Sequence, residues 1–258
     1  MNSDRFYPIK RLRRTGARSD AQLAPAAPAR HTGCMPSRSS SPRPSPRLFA
    51  LPLLLIAVAG FVDALGYLSL SGLFVSFMSG NTTQFAASLA GGNVTGVAAA
   101  GLLICCFVLG VAAGTAMVEA SPRWSYAAIL GLEALLLAGA AVAVAVDGVS
   151  ELRLLPLAFA MGLQNNLRRT LAGARIGSTF VTGTLVTLGQ GLARHLLGRA
   201  GIGAWLPHAM AWLALALGAA LGAAILLAAG MVLALAGPAA VLALIACHQL
   251  RRGLVSPP

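Results

Sequence analysis

The chain has 258 residues, of which 57% are hydrophobic and only 10% charged, with a mean hydropathy of +0.77. Soluble domains carry about 25% charge, so this composition excludes an ordinary soluble domain and points to a protein embedded in a bilayer. The net charge of +12 suggests nucleic acid until it is divided by position: residues 1–47 hold ten Lys/Arg against two Asp/Glu, and the rest nine against five, with no aromatic-studded basic surface.

The chain opens with a Pro-, Ser-, Ala- and Arg-rich stretch over residues 1–47, as in Pro36-Ser37-Arg38-Ser39-Ser40-Ser41-Pro42-Arg43-Pro44. Too little apolar surface is available there to offset the entropy of ordering, so a disordered basic cytoplasmic tail is expected. Met35 is an alternative start, which would make residues 1–34 an over-extended reading of the gene. The apolar run from Leu48 is too long for a cleavable signal core.

Apolar runs of about 20 residues mark membrane spans. They fall at 48–70, 97–118, 126–146, 208–230 and 231–250, with a shorter one at 152–165. Two more polar segments, 74–90 and 178–193, carry related motifs: Ser76-Phe77-Met78-Ser79-Gly80-Asn81-Thr82-Thr83 and Thr179-Phe180-Val181-Thr182-Gly183-Thr184. Aligned without gaps the motifs lie 103 residues apart (183 − 80), and the same offset sets Asp63 opposite Asn166. Glycine, hydroxyls and amides at membrane depth suit a backbone that lines a pathway.

If both motif segments dip in and return, Arg123, Arg168, Arg169, Arg175, Arg194, Arg199, Arg251 and Arg252 fall on the cytoplasmic side with both termini. If both cross fully, giving eight spans, the cluster Arg168, Arg169 and Arg175 lands outside. The expected fold is therefore all-α and polytopic, with about six transmembrane helices plus two short broken or re-entrant segments. It is a two-fold internal repeat with halves at about 48–147 and 151–250, followed by a short cytoplasmic tail at 251–258. With six spans the halves enter from opposite faces.

Asp63 is the sole acid of the first span, and an ionisable group at that depth is either a coupling or substrate site or an acid satisfied at a helix break. Gln164, Asn165 and Asn166 offer amides near the matching position, or are solvated beside Arg168. Gly80 could let the backbone unwind, with a helix from Asn81 aiming its positive end at an anion; close helix packing is the alternative. Ser79, Gly80, Asn81, Thr82, Thr182, Gly183 and Thr184 complete the candidate pathway. Glu133 either pairs with an arginine, lines the cavity or snorkels outward. Gly110-x3-Gly114 and Gly218-x3-Gly222 read as helix-packing signatures. Cys34, Cys105, Cys106 and Cys247 lack zinc-like spacing, and no metal, cofactor or catalytic constellation is expected.

At these residues the chain resembles a known family. Gly60-Phe61-Val62-Asp63-Ala64, with Phe74 to Thr83, is similar to the first signature of the YoaK-like bacterial membrane proteins (domain of unknown function 1275). Gly162-Leu163-Gln164-Asn165-Asn166, with Thr179 to Thr184, is similar to the second. The likeness covers about 48–250 and implies a polytopic inner-membrane protein without an established substrate. The family is expected to read Met-Thr-Gly-Asn where this chain has Met78-Ser79-Gly80-Asn81, and Gln-Asn-Ala where it has Gln164-Asn165-Asn166. The sequence thus points to a non-enzymatic secondary transporter or permease for a small solute in the bacterial inner membrane. Its partners would be the lipid bilayer and that solute, with no nucleic acid; a homo-oligomer is left open. A non-transporting membrane scaffold or assembly factor is the alternative.

Overall fold

The computed structural model describes residues 47–167, 170–171, 174–175 and 181–255. The basic tail, Arg168, Arg169, Thr179 and Phe180 lie outside the described residues. Among the described residues seven α-helices follow in order: α1 (Arg47–Ser69), α2 (Met78–Ala90), α3 (Val94–Ala120), α4 (Ser125–Asp147), α5 (Glu151–Gln164), α6 (Val181–Leu196) and α7 (Leu206–Val255). Between α5 and α6 sits a two-residue antiparallel hairpin, β1 (Thr170–Leu171) with β2 (Ala174–Arg175), which the sequence reading did not anticipate. Among the described residues four helical stretches are long and apolar enough to cross a membrane: Ala50–Ser69, Val94–Ala120, Ser125–Asp147 and Leu206–Arg251. The protein is all-α in its body and multi-spanning.

The helix boundaries have local causes. Helix α1 stops where Ser71 and Gly72 take positive φ (53° and 86°), and the Gly72 N–H closes the end onto the Tyr67 carbonyl at 3.1 Å. The Asn93 side chain accepts from Gly96 N–H at 3.1 Å and starts α3. At the far end of α4, Arg153 donates to the Asp147 and Gly148 carbonyls, both at 2.8 Å, and so covers acceptors that the helix leaves open. Helix α7 is interrupted at Gly230, whose φ of 80° and ψ of 171° belong to a region that only glycine occupies freely.

Packing follows from the glycines. Helix α1 lies against the first part of α7, α4 against α7, and α3 against α5. In the first crossing a Cβ at Gly60 would strike the Leu215 carbonyl, one at Gly218 the Ala57 carbonyl, and one at Gly222 the backbone of Phe61. In the second crossing Gly162 faces the Phe107 carbonyl, Gly110 the Phe159 carbonyl, and Gly114 the Leu163 carbonyl with the Asn166 side chain. Each site meets the carbonyl three residues before the opposing glycine, with the third contact one residue after it. Both Gly-x3-Gly pairs are thus close-packing surfaces, as expected from sequence. Around them Leu55, Leu65, Leu137, Leu157, Met161 and Leu235 form the buried core.

Candidate functional site

The site is built where α1 ends and α2 begins. Residues 74–77 are not helical, so the segment expected at 74–90 has an extended entry and a helix only from Met78. No side chain of the N-cap residue, Phe77, caps α2. The donors just ahead of the helix are met instead by Asp63 of α1: its Oδ1 accepts from Val75 N–H at 3.0 Å and Ser76 N–H at 2.7 Å, and its Oδ2 from Ser76 Oγ at 2.5 Å. Three donors replace water around a carboxylate held within a membrane span.

Asn81 locks the same loop from the other side. Fully buried, it accepts from Phe74 N–H at 2.9 Å through Oδ1 and donates to the Phe74 carbonyl at 2.6 Å through Nδ2. Gly80 is not a point of unwinding: it lies within the first turn of α2, where a Cβ would crowd the Phe77 and Phe74 rings. The break falls three to six residues earlier, at 74–77, and the acidic group near the helix start is the chain's own Asp63.

The pinned loop shapes an open cleft of about 410 Å³. It is lined by Asp63 and Tyr67 of α1, Phe74 and Phe77 of the loop, Thr182 of α6, and Leu215 and Ala219 of α7. The rings form a chain, Tyr67 to Phe74 at 5.2 Å between centroids and Phe74 to Phe77 at 5.3 Å, the latter edge to face. Asp63 and Thr182, from opposite halves of the sequence, therefore share one cavity. Gly183 is exposed beside it in sequence, and Thr184 is buried. Ser79 and Thr82 are exposed on α2, with Thr82 Oγ1 donating back to the Met78 carbonyl at 2.8 Å.

The amide cluster is elsewhere, at the end of α5 against α3 and α4. Asn166 Oδ1 accepts from Thr115 Oγ1 at 2.8 Å while its Nδ2 donates to the Val111 carbonyl at 3.0 Å. Asn165 Nδ2 donates to Met161 O at 2.8 Å. Gln164 is fully buried and gives its Nε2 hydrogen to Glu133 Oε1 at 2.8 Å. Glu133, also fully buried, therefore does not snorkel outward: one carboxyl oxygen faces the α5 amide. Sequence reading missed this pairing, which joins residues 31 apart on different helices, and it missed the aromatic side of the cleft. The signal for the latter was present in the spacing of Tyr67, Phe74 and Phe77 around the polar motif.

No solved structure matches the chain. It is 39% identical over 182 residues to the UPF0700 transmembrane protein RA0705 of Rhizobium meliloti (strain 1021), covering 70% of this chain and 77% of that one. A family described as "Protein of unknown function (DUF1275)" matches residues 51–248, a range that contains the two motifs, the cleft and both glycine crossings. The chain belongs to the DUF1275 family.

Proposed function

We propose that this protein is a secondary transporter for a small solute in the bacterial inner membrane. The observation that carries the reading is the cleft in which Asp63 of the first half meets Thr182 of the second. A site shared between two halves can open to one face or the other as the halves rock, which is how repeat-built transporters work. The reading assigns no catalysis to the chain.

The two glycine crossings support a repeat. Each half places its first helix across a helix of the other half with the same register of contacts. Matching Gly60 with Gly162 gives an offset of 102 (162 − 60), so Asp63 corresponds to Asn165 on these helices, one residue short of the Asn166 given by the motif offset. The interruption at Gly230 leaves about 24 and 25 residues on its two sides, each about 36 Å of helix and enough to cross a hydrocarbon core of about 30 Å. With the short α5 this makes six spans, with α2 and α6 as the two dipping segments, and both termini cytoplasmic.

A cysteine-free background carrying Thr182→Cys or Tyr67→Cys tests the reading. Intact cells and inverted vesicles are each treated with a membrane-impermeant thiol reagent. Alternating access predicts reaction in both preparations; reaction from one face alone removes it. A second reading, a static membrane scaffold, is favoured by one observation: the polar groups of Asp63 and Asn81 are hydrogen-bonded within the chain. One-sided labelling would move the protein to that class.

A further inference from the structure

We propose that the cleft beside Asp63 binds a monovalent organic cation, a protonated or quaternary amine on an apolar body. This deepens the transporter reading and rests on the same cavity.

Charge argues first. Asp63 is the one charged side chain lining the cleft among the described residues, and no lysine or arginine accompanies it. An anionic solute would meet a carboxylate with nothing to offset it. The three donors from Val75 and Ser76 hold that carboxyl group in one place on the lining of the cavity.

Shape and polarizability argue second. Tyr67, Phe74 and Phe77 present consecutive rings 5.2 and 5.3 Å apart, and a cation within about 6 Å of a ring centroid is attracted by the negative ring face. Leu215 and Ala219 add an aliphatic part to the lining that suits a hydrocarbon body. Thr182 adds one hydroxyl to the lining for an N–H or an ordered water. At about 410 Å³ the cleft lies within the range of small-molecule sites, roughly 300–1,000 Å³.

A bare metal ion fits less well. Hard cations take six or more oxygen ligands, or three or four side-chain donors for zinc. Here one carboxylate faces rings and methyl groups, and among the described residues no three His, Cys, Asp or Glu side chains gather.

The test uses the full-length protein in phosphatidylcholine nanodiscs, with empty discs as the blank. Benzyltrimethylammonium and phenethylammonium are titrated calorimetrically, and benzenesulfonate serves as the charge-reversed counterpart. Saturable binding of a cation and none of the sulfonate is expected. Tyr67→Leu, at a half-exposed ring, should weaken the cation about two- to thirty-fold. Asp63→Asn should weaken it about tenfold or more. If Asp63→Asn fails to fold, Tyr67→Leu alone decides. Absence of saturable cation binding, equal binding of benzenesulfonate, or undiminished binding in Tyr67→Leu overturns the proposal. Two-sided thiol labelling without cation binding removes the ligand class and keeps the transporter. Cation binding with one-sided labelling keeps the site and removes the transporter.

Discussion

A methyl group added at Gly218 tests the interlocked packing most directly. An ideal Cβ there would lie 2.7 Å from the carbonyl carbon of Ala57 and 2.8 Å from its Cα. Carbon atoms rest about 3.5–4.0 Å apart, so α1 and α7 must separate by about an ångström. The obstacle is backbone, which has no rotamer to yield. Overpacking of this kind costs about 1–3 kcal/mol, offset by the ~1 kcal/mol that alanine gains over glycine inside a helix. Gly162→Ala, facing the Phe107 carbonyl and Val111 N–H at 2.9 Å, should behave alike. Gly139 in the middle of α4 has nothing within 4 Å of its added Cβ, so Gly139→Ala should instead stabilise by up to ~1 kcal/mol. Reversible unfolding in mild detergent and sodium dodecyl sulfate mixtures measures all three. Opposite signs for Gly218→Ala and Gly139→Ala are expected. Equal stability of the two would refute the inference that backbone contact sets the spacing of these helices.

Three further outcomes follow from single contacts. Asn81→Ala removes both hydrogen bonds to Phe74 and should cost about 2–4 kcal/mol, read as lost melting temperature together with faster hydrogen exchange at Phe74. Gln164→Leu takes the amide donor from Glu133 in a fully buried setting and should destabilise by about 1–3 kcal/mol in the same unfolding assay. Gly230→Ala forces a side chain to φ 80°, ψ 171° and should cost about 1–3 kcal/mol, with an altered distance between spin labels on the two parts of α7.

Much of the architecture is legible in the sequence because hydrophobic length is a local property. The runs at 97–118 and 126–146 lie inside α3 and α4, and the division expected between Gly230 and Met231 falls at the observed interruption of α7. What the sequence leaves open is which polar groups face each other. Asp63 satisfies donors in a loop a dozen residues away, and no periodicity announces that. Glu133 finds Gln164 only through the packing of α4 on α5, a tertiary fact. Gly80 looked like a place for the backbone to open because glycine permits it; its neighbours Phe74 and Phe77 use the missing side chain for ring packing instead. Thr182 was identifiable by the motif, whereas its meeting with Asp63 depends on where α7 carries α6.

The two crossings also differ in time. Gly110 and Phe159 are 49 residues apart (159 − 110), whereas Gly60 and Leu215 are 155 apart (215 − 60). At a synthesis rate of about 5–20 residues per second, the second crossing has its parts within about 2–10 s and the first only after about 8–30 s. During that interval α1 waits in the bilayer with a carboxyl group on it and without α7, the helix it packs against most. The donors that cover Asp63 come from Val75 and Ser76, which emerge only 12 and 13 residues later. The nascent chain can therefore shield its own charge almost as soon as it is made, and the first helix remains a tolerable lipid neighbour until the last one arrives.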